Sequence, residues 1–307
     1  MSVNKIVTKV DGTINKELNF NDLKSGLAAG SHTITVEAYN GSTLISTQTK
    51  NITIAAVAGY DTDYQAVLDY ATAQAIALPD ATQQSIDNQL MIDLKATGKW
   101  GVCKSFLNLK GTATSAFKLI DWKRIVKYTD LGSPTWSSSG IKGNGVNAYI
   151  KLAWNFEDIG LGFNNIAIGF TLFDAPVAVD SAYSVIFGSA TSSGSNSQTR
   201  LYIYQGTIGF DLFNKVEGTL TSSVTDANGF NMETISSAGV RKLFLKGIEK
   251  TTSTYSAVSR DPYHNYLLAQ NKADSPIAYA LQGLSNFIVL NTEPTAQEVQ
   301  NFNTILG

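Results

Sequence analysis

GYDTDYQAVLDYATAQAIALPDATQQSIDNQLMIDLKATGKW, from Gly59 to Trp100, has a strongly helical pattern, and β-type sequence lies on both sides of it. Its first half, Asp61 to Ile76, repeats apolar residues at the spacing of an amphipathic helix. Asp61 or Thr62 can cap this helix, and Pro79 is expected to end it because proline lacks a backbone N–H. The predicted buried stripe is Tyr64, Val67, Leu68, Ala71 and Ala75.

A second helix is predicted to open at Asp80, since Gln83 three residues later completes a pair similar to a capping box. Gly98 suits a left-handed C-cap, and Lys95 and Lys99 lie where the helix dipole favours cations. The predicted buried line of this helix is Ile86, Leu90 and Leu94. The stretch therefore predicts a helical hairpin whose apolar stripes need a neighbouring sheet to cover.

The bulk composition limits the partners of the chain. Charged residues make up 16% of its 307 residues, the net charge is −2, and Lys and Arg form no block. This charge pattern argues against nucleic acid and anionic membranes as main partners. No segment reaches the ~18 consecutive apolar residues of a membrane span, and Met1 to Phe20 contains no apolar run preceded by basic residues, so no signal peptide is predicted in this stretch. The sequence thus predicts a protein that folds in the cytoplasm without membrane insertion.

Cys103 is the only cysteine, so no intrachain disulfide can form. A lone cysteine in an apolar setting is predicted to be a small buried hydrophobe rather than a nucleophile.

The first 58 residues read as short strands joined by tight turns. Asp11-Gly12 and Asn40-Gly41 supply the positive φ that hairpin turns require. The predicted strands are Ile6 to Val10, Thr13 to Leu18, Ser31 to Tyr39 and Thr43 to Ile54. The run from Leu27 to Ile54 resembles the last strands of an immunoglobulin-like or fibronectin-like module, which uses roughly 100 residues. This region is thus either a minimal domain or one whose edge another chain completes by strand addition, and we favour the second.

Beyond the hairpin, strands and turns continue to about residue 290. The predicted strands are Phe106 to Leu109, Ala148 to Leu152, Ile166 to Phe173, Tyr183 to Phe187, Arg200 to Tyr204, Ile208 to Asn214, Arg241 to Lys246 and Phe287 to Leu290. Their spacing predicts an antiparallel two-sheet sandwich. Thr295 to Leu306 is predicted to be a short closing helix with Val299, Phe302 and Leu306 inward. Ser189 to Gln198 is a low-complexity loop.

Three patches resemble the laminin-G or concanavalin-type family. GIKGNGVNAYIKL at Gly140 to Leu152 resembles the family's opening turn and strand. RKLFLKGIEK at Arg241 to Lys250 is similar to its strand–turn–strand unit, with Lys246-Gly247 in the turn. ALQGLSNFIVLNTEPTAQEVQNFNTIL at Ala280 to Leu306 resembles its final strand and short helix, with Thr295 and Glu298 as the helix-start signature. The resemblance implies a lectin-like jelly-roll sandwich.

The Gly59 to Trp100 stretch, FKLIDWK after it and YLLAQNKADSPIAYA near the end follow a segment order that resembles structural and fibre proteins of tailed phages of gut bacteria, including crAss-like phages. The resemblance covers roughly residues 59 to 306. It implies a position on a virion beside other capsid or tail proteins, where the sandwich contacts either host-surface glycans or the capsid.

Motifs for catalysis and metal binding find little support. Asp61-x-Asp63 begins like a calcium loop, but the following residues favour a helix cap. Two histidines and no cysteine pair do not predict a zinc site. Glycosidases on this fold display carboxylates on one strand face, whereas Glu157 and Asp158 are adjacent and are expected to point to opposite faces of a strand. We therefore predict no enzyme activity, no metal and no cofactor.

A glycan site is a more promising prediction, because sugars stack on aromatic rings and hydrogen-bond to polar side chains. One polar aromatic loop combines these groups, and its candidate glycan-binding residues are Tyr255, Asp261, Tyr263, His264 and Tyr266. The alternative is that they pack at a sheet edge or subunit contact. Trp100, Trp122, Trp136 and Trp154 are predicted to be core or interface anchors.

Together these patterns predict a mainly β protein with three segments: an immunoglobulin-like β-module at 1–58, the helical hairpin at 59–100 and the sandwich at 101–307. The leading hypothesis is a non-enzymatic virion protein of a tailed phage, a head or tail fibre or decoration subunit. It is expected to form a homo-oligomer such as a trimer, with the first module attached to the particle. The alternatives are a secreted bacterial carbohydrate-binding protein and, less favoured, a glycan hydrolase.

Overall fold

The computed structural model describes residues 5–10, 13–15, 30–40, 43–54, 59–162, 164–174, 184–190, 198–204, 207–211, 220–223, 228–254 and 262–307. The chain divides into two units, Met1–Tyr60 and Asp61–Gly307. The predicted hairpin segment therefore falls in the same unit as the predicted sandwich segment.

The described strands of the first unit form one antiparallel sheet with the order β2-β1-β3-β4. Its strands are β1 (Lys5–Val10), β2 (Thr13–Asn15), β3 (Gly30–Asn40) and β4 (Thr43–Ile54). Val10 pairs with Thr13 and Asn40 with Thr43, which confirms both hairpins. Residues 11–12, 16–18 and 41 lie outside the described part of the chain. Completion of this module by another chain stays a prediction.

The helices are α1 (Thr62–Ala73), α2 (Ala81–Ala96), α3 (Ser115–Lys118) and α4 (Ala296–Leu306), with a short 3₁₀ turn at Trp100–Val102. The predicted caps are confirmed: the Asp61 carboxylate accepts from the N–H of Asp63, and that of Asp80 accepts from the N–H of Gln83. Thr295 and Glu298 form a complete capping box, each bonding the other's backbone N–H. Within the described residues, no helix is long and apolar enough to cross a membrane.

The first helix ends earlier than predicted. Ala75 adopts a positive φ of 53°, and the N–H of Ile76 donates to the carbonyl of Ala71 over 2.8 Å. This left-handed cap stops α1 at Ala73, well before Pro79. The prediction that Ala75 belongs to the buried stripe is therefore wrong, and its side chain is exposed. Tyr64, Val67, Leu68 and Ala71 are buried as predicted.

The buried face of the second helix is also different from the predicted one. Ile86 is 57% exposed, and Leu90 is only half-buried. The inward line is Gln83, Asp87, Met91 and Leu94. Asp87 faces inward because its carboxylate meets two donors from outside α2, Asn108 Nδ2 at 2.9 Å and the Tyr64 hydroxyl at 3.3 Å. Gln83 Nε2, one turn earlier in α2, donates to the same carboxylate over 2.8 Å. Burial raises the pKa of Asp87 to about 6, although these three hydrogen bonds act to lower it.

Every strand region that the sequence predicted in the second unit contains a strand. The strands are β5 (Cys103–Asn108), β6 (Ile120–Asp121), β7 (Val126–Lys127), β8 (Thr129–Leu131), β9 (Thr135–Ser137), β10 (Gly140–Lys142), β11 (Tyr149–Lys151), β12 (Ile166–Leu172), β13 (Ser184–Ala190), β14 (Gln198–Tyr204), β15 (Thr207–Asp211), β16 (Leu220–Ser223), β17 (Gly229–Ile235), β18 (Val240–Leu245), β19 (Ile248–Thr254), β20 (Tyr266–Leu267), β21 (Gln270–Lys272), β22 (Ser275–Ile277) and β23 (Gly283–Leu290). Residues 191–197 of the predicted low-complexity loop lie outside the described part.

Apart from β6 and β7, which pair only with each other, these strands build two large sheets, which confirms the predicted mainly β sandwich. The helix-covered sheet has the order β19-β18-β17-β12-β23-β10-β9, with β5 also paired to β23. The tyrosine sheet has the order β16-β15-β14-β13-β20-β11-β8, with β21 paired to β13 and β22 to β21. Lys246 and Gly247 both have positive φ in the turn between β18 and β19, as that tight turn requires.

The core lies between the two sheets and is rich in aromatic rings. Phe287 of the helix-covered sheet meets Phe187 of the tyrosine sheet with ring centroids 5.1 Å apart, and Trp154 stacks on Phe287 at 6.4 Å. Trp100, Trp122 and Trp154 are buried and Trp136 packs against the core, in agreement with the predicted anchors.

The outer face of the helix-covered sheet is covered by the helices. Phe302 of α4 contacts Phe230 of β17, and Tyr64 of α1 contacts Trp122, which in turn meets Phe106 of β5. A side chain at Gly169 in β12 could not fit, since a Cβ there would lie 2.7 Å from the Phe230 ring. This face is thus a second packed layer.

Polar contacts join the two ends of the hairpin to each other and to α4. Lys95 pairs with Asp61 and Asp63 at the start of α1, and Lys99 pairs with Glu298 of α4 at 3.1 Å. The Trp100 indole N–H donates to Asp63 over 3.0 Å. Cys103 is buried, and burial raises the pKa of its thiol, which fits the predicted hydrophobic role.

Candidate functional site

The outer face of the tyrosine sheet presents polar and aromatic side chains. Because side chains alternate along strands, one cross-strand row points inward and the next points outward. Leu201, Phe187, Leu267 and Ile150 form an inward row, and all four belong to the core. Their strand neighbours Tyr266 and Tyr149 therefore lie on the outer face.

Three tyrosines cluster on this outer face. The ring of Tyr149 stacks on that of Tyr266 at a centroid distance of 4.8 Å and an angle of 27°, and lies 6.2 Å from the ring of Tyr279. Tyr266 is only 2% exposed, whereas Tyr149 and Tyr279 are half-buried. We call these three residues the tyrosine cluster. Tyr266 supports the cluster from below, and Tyr149 and Tyr279 provide its accessible surface.

The hydroxyl groups of Tyr266 and Tyr149 stay protonated at neutral pH. Burial raises the pKa of Tyr266 to about 12, with further contributions from Tyr149, the Asp274 carboxylate and Tyr279. Burial also raises the pKa of Tyr149. The Tyr279 hydroxyl donates to the carbonyl of Pro276 over 3.1 Å. Half-buried rings beside the exposed Asp274 can bind a ligand that has both apolar and hydroxyl faces.

A rigid turn adjoins the predicted glycan loop. The Asn155 side-chain oxygen accepts from the N–H groups of Glu157 and Asp158, and its amide donates to the carbonyl of Pro262 over 3.0 Å. Glu157 and Asp158 thus lie in a turn, and the expectation that they point to opposite faces of a strand is wrong. Asparagine side chains favour such turns because they mimic backbone hydrogen bonds.

The turn and the loop bring two ionisable side chains together. His264 Nε2 lies 3.8 Å from Asp158 Oδ2, and both side chains are well exposed. The loop backbone is held by Asn271, whose amide donates to the carbonyl of His264 over 2.7 Å. The position of His264 is therefore set by side chains of β21 and of the turn.

The structure brings some of the predicted glycan-binding residues into contact with other polar and aromatic side chains. Tyr266 joins the tyrosine cluster, His264 meets Asp158, and Tyr263 is half-buried. Tyr255 and Asp261 lie outside the described residues.

Sequence reasoning missed Tyr149 and Tyr279. Tyr149 and Lys151 alternate with the apolar residues Ile150 and Leu152. This alternation indicates that the Tyr149 side chain points away from the core. For Tyr279, which lies outside any strand, no comparable signal exists.

The described residues contain no group of three or more His, Cys, Asp or Glu side chains that could hold a metal ion. The buried carboxylate of Asp121 accepts from Ser105, Tyr128 and backbone N–H groups, so it stabilises the fold. Burial raises its pKa.

No protein-family model and no curated protein sequence matches this chain. Its fold is similar to solved botulinum neurotoxin structures. One is of type C, which enters cells through interaction with two ganglioside molecules: it has a TM-score of 0.53, 12% identity, and 70% of this chain and 53% of that chain covered.

Two further solved structures have a similar fold. The binding domain of neurotoxin DC in complex with SialylT has a TM-score of 0.50 and 15% identity, with 66% of this chain and 52% of that chain covered. The receptor-binding domain of the botulinum neurotoxin C/D mosaic serotype has a TM-score of 0.50 and 13% identity, with 67% of this chain and 51% of that chain covered. This chain spans about half the length of these structures. The similarity supports a lectin-like β-sandwich fold.

Proposed function

We propose that this chain is a non-enzymatic carbohydrate-binding protein on the virion of a tailed phage, where it serves as a head or tail fibre or decoration subunit. Its sandwich binds host-surface glycans through the outer face of the tyrosine sheet. Its first unit contacts other capsid or tail proteins, and the assembled form is a homo-oligomer.

The observation that carries the carbohydrate-binding role is the tyrosine cluster. Its half-buried rings present flat apolar surface with hydroxyl groups at their edge, next to Asp274. A pyranose ring offers the complementary pattern of an apolar C–H face and hydroxyl edges. The fold likeness to domains that bind gangliosides and SialylT supports the same role. The virion role rests on the segment order from Gly59 to Trp100 and near the end of the chain.

A glycan array tests the binding role. We expect the intact protein to bind a subset of glycans, and the double substitution Tyr149→Ala with Tyr279→Ala to weaken that binding roughly 10-fold or more, as for aromatic residues central to an interface. Tyr70→Ala, a half-buried tyrosine of α1, is the matched control and should bind normally. Equal binding by all three proteins would exclude the tyrosine cluster as the site.

Immunogold labelling of purified phage particles tests the virion role. We expect label on the particle, and its position distinguishes head from tail. Label on bacterial cells but not on virions would favour the secreted carbohydrate-binding alternative. Glycan turnover abolished by a single carboxylate substitution would favour the hydrolase.

A further inference from the structure

A carboxylate lies beside the tyrosine cluster. Asp274 is exposed, and its charge contributes to the raised pKa of Tyr266, the buried base of the cluster. This effect requires the carboxylate to lie near the Tyr266 hydroxyl, because the interaction of exposed charges falls off with distance and is screened by salt. Within the described residues, no hydrogen bond or ion pair engages the Asp274 side chain. Its two oxygens are therefore available to hydrogen-bond donors of a ligand.

A tight turn holds Asp274 in place. Lys272 of β21 pairs with Ser275 of β22, so Ala273 and Asp274 form a two-residue hairpin turn. Both have positive φ, 49° and 64°, as the type I′ turn of a hairpin requires. The N–H of Ala273 also donates to the carbonyl of Ala190 in β13 over 3.2 Å. The turn is thus joined to a neighbouring strand, and the backbone of Asp274 has a defined position.

Backbone strain is concentrated around the tyrosine cluster. Leu268, Ala273 and Ala278 have positive φ values of 64°, 49° and 53°, although their side chains disfavour that region. Leu268 lies two residues after Tyr266, and Ala278 immediately precedes Tyr279. Strained residues of this kind cluster in ligand-binding sites. Their concentration here supports a binding role for the segment from Tyr266 to Tyr279.

A carboxylate beside accessible aromatic rings suits a particular part of a sugar. The apolar C–H face of a pyranose stacks on rings such as those of Tyr149 and Tyr279, and its hydroxyl groups then project from the edge of the stack. Two hydroxyl groups on adjacent carbons can each donate to one oxygen of a carboxylate, and such charge-assisted hydrogen bonds are stronger than neutral ones. An acidic sugar would instead bring a second negative charge close to Asp274, which is unfavourable.

We propose that Asp274 recognises a pair of adjacent hydroxyl groups on a neutral sugar residue that stacks on Tyr149 and Tyr279. The proposal rests on the carbohydrate-binding function proposed above and specifies the class of sugar that this site takes. Asp274 accepts from both hydroxyl groups, and the tyrosine rings contact the C–H face. Lys151 and Lys272, which are exposed on the same sheet, take no part in this recognition.

An array of matched glycans tests the class of sugar, each neutral glycan being printed beside derivatives whose terminal residue is sialylated, sulfated or a uronate. We expect the intact protein to bind neutral terminal residues roughly 10-fold or more tightly than their acidic derivatives, because a second negative charge is disfavoured beside Asp274. A preference for the acidic derivatives would overturn the proposal.

The variant Asp274→Asn tests the assigned residue, because asparagine tolerates positive φ and keeps the turn. The best neutral glycan on the array and its monodeoxy derivatives are titrated against both proteins. We expect loss of a recognised hydroxyl group to weaken binding by the intact protein roughly 10-fold. In Asp274→Asn, which already binds the parent glycan more weakly, the same loss should have little further effect. Such non-additivity indicates direct contact.

Three more variants complete the experiment. Asp274→Gly removes the carboxylate and also accepts positive φ, so it should bind as weakly as Asp274→Asn. Asp69→Asn, at an exposed carboxylate of α1, is the matched control and should bind as the intact protein does. Lys272→Gln, in the same hairpin as Asp274, should also bind normally.

Unchanged binding by Asp274→Asn and Asp274→Gly, or weakened binding by Lys272→Gln alone, would overturn the role of Asp274 and leave the carbohydrate-binding function standing. No binding of the intact protein to any printed glycan would overturn both.

Discussion

The outer face of the helix-covered sheet carries Phe106 and Phe230, and the rings of Trp122 and of Phe302 in α4 pack on them. The outer face of the tyrosine sheet carries Tyr149, Arg200 and Lys151, which are half-buried or exposed. Both sheets contribute inward rows to one core, so the difference lies in what their outer rows contact. One outer row is covered by helices and stabilises the fold, and the other is the face that we propose binds glycans.

The largest effect should follow deletion of Asp61 to Gly98, which contain α1 and α2. The deletion uncovers Phe106 and Trp122 and removes the carboxylate of Asp87 from Asn108, so we expect the remaining sandwich to be insoluble. Solubility and size-exclusion chromatography of the expressed fragment check this. A soluble, monomeric 100–307 fragment would reduce the hairpin to a spacer.

Paired substitutions on the two outer faces should differ strongly in stability. Phe302→Ala removes a fully buried ring from α4 and should lower the free energy of unfolding by about 3–5 kcal/mol. Tyr279→Ala on the half-buried cluster should cost about 1 kcal/mol. Urea unfolding followed by tryptophan fluorescence measures both, and equal losses would contradict the division of roles between the faces.

The carboxylate of Asp87 should make stability depend on pH. Its pKa rises on folding from 3.8 to about 6, so the folded state binds the proton more tightly than the unfolded state. Stability from this group is fully present below pH 3.8 and is lost as pH rises through 6, by roughly 3 kcal/mol.

The substitution Asp87→Asn should remove this part of the pH dependence, because the neutral amide can still accept from Gln83 and Asn108. Urea unfolding at several pH values between 4 and 7 measures the difference from the unmodified protein. Asp69→Asn, an exposed carboxylate of α1, is the control. If the free energies of unfolding of Asp87→Asn and of the unmodified protein differ by the same amount at every pH, Asp87 does not titrate in this range.

The smallest effect is expected for Ile86→Ser. Ile86 was predicted to be buried and is 57% exposed, so its loss should change the free energy of unfolding by less than about 0.5 kcal/mol. A loss above 2 kcal/mol in the same unfolding assay would mean that another surface covers this side of α2.

Local signals in the sequence predicted local features well. The caps at Asp61, Asp80 and Thr295 are confirmed because a cap depends on residues within one helical turn. The inward face of α2 could not be predicted, because it depends on Asn108 and Tyr64, which are distant in sequence from Asp87.

The same limit applies to the candidate site. The sequence indicated Tyr266 and His264, which share one loop, but could not show that Tyr149 stacks on Tyr266 or that Asp158 approaches His264. Those contacts depend on the pairing of β11 with β20 and on the Asn155 turn. The register of strands far apart in the chain sets them.

The position of β23 has a consequence for how the protein is made. This strand, Gly283–Leu290, pairs with β12, β10 and β5, although it is the last strand to leave the ribosome. Until it emerges, those three strands keep unpaired edges, and the nascent sandwich cannot close. Contacts between elements so distant in sequence slow folding. Synthesis arrested before Leu290 should therefore yield aggregation-prone chains, and folding of the sandwich should be completed only after β23 has been synthesised.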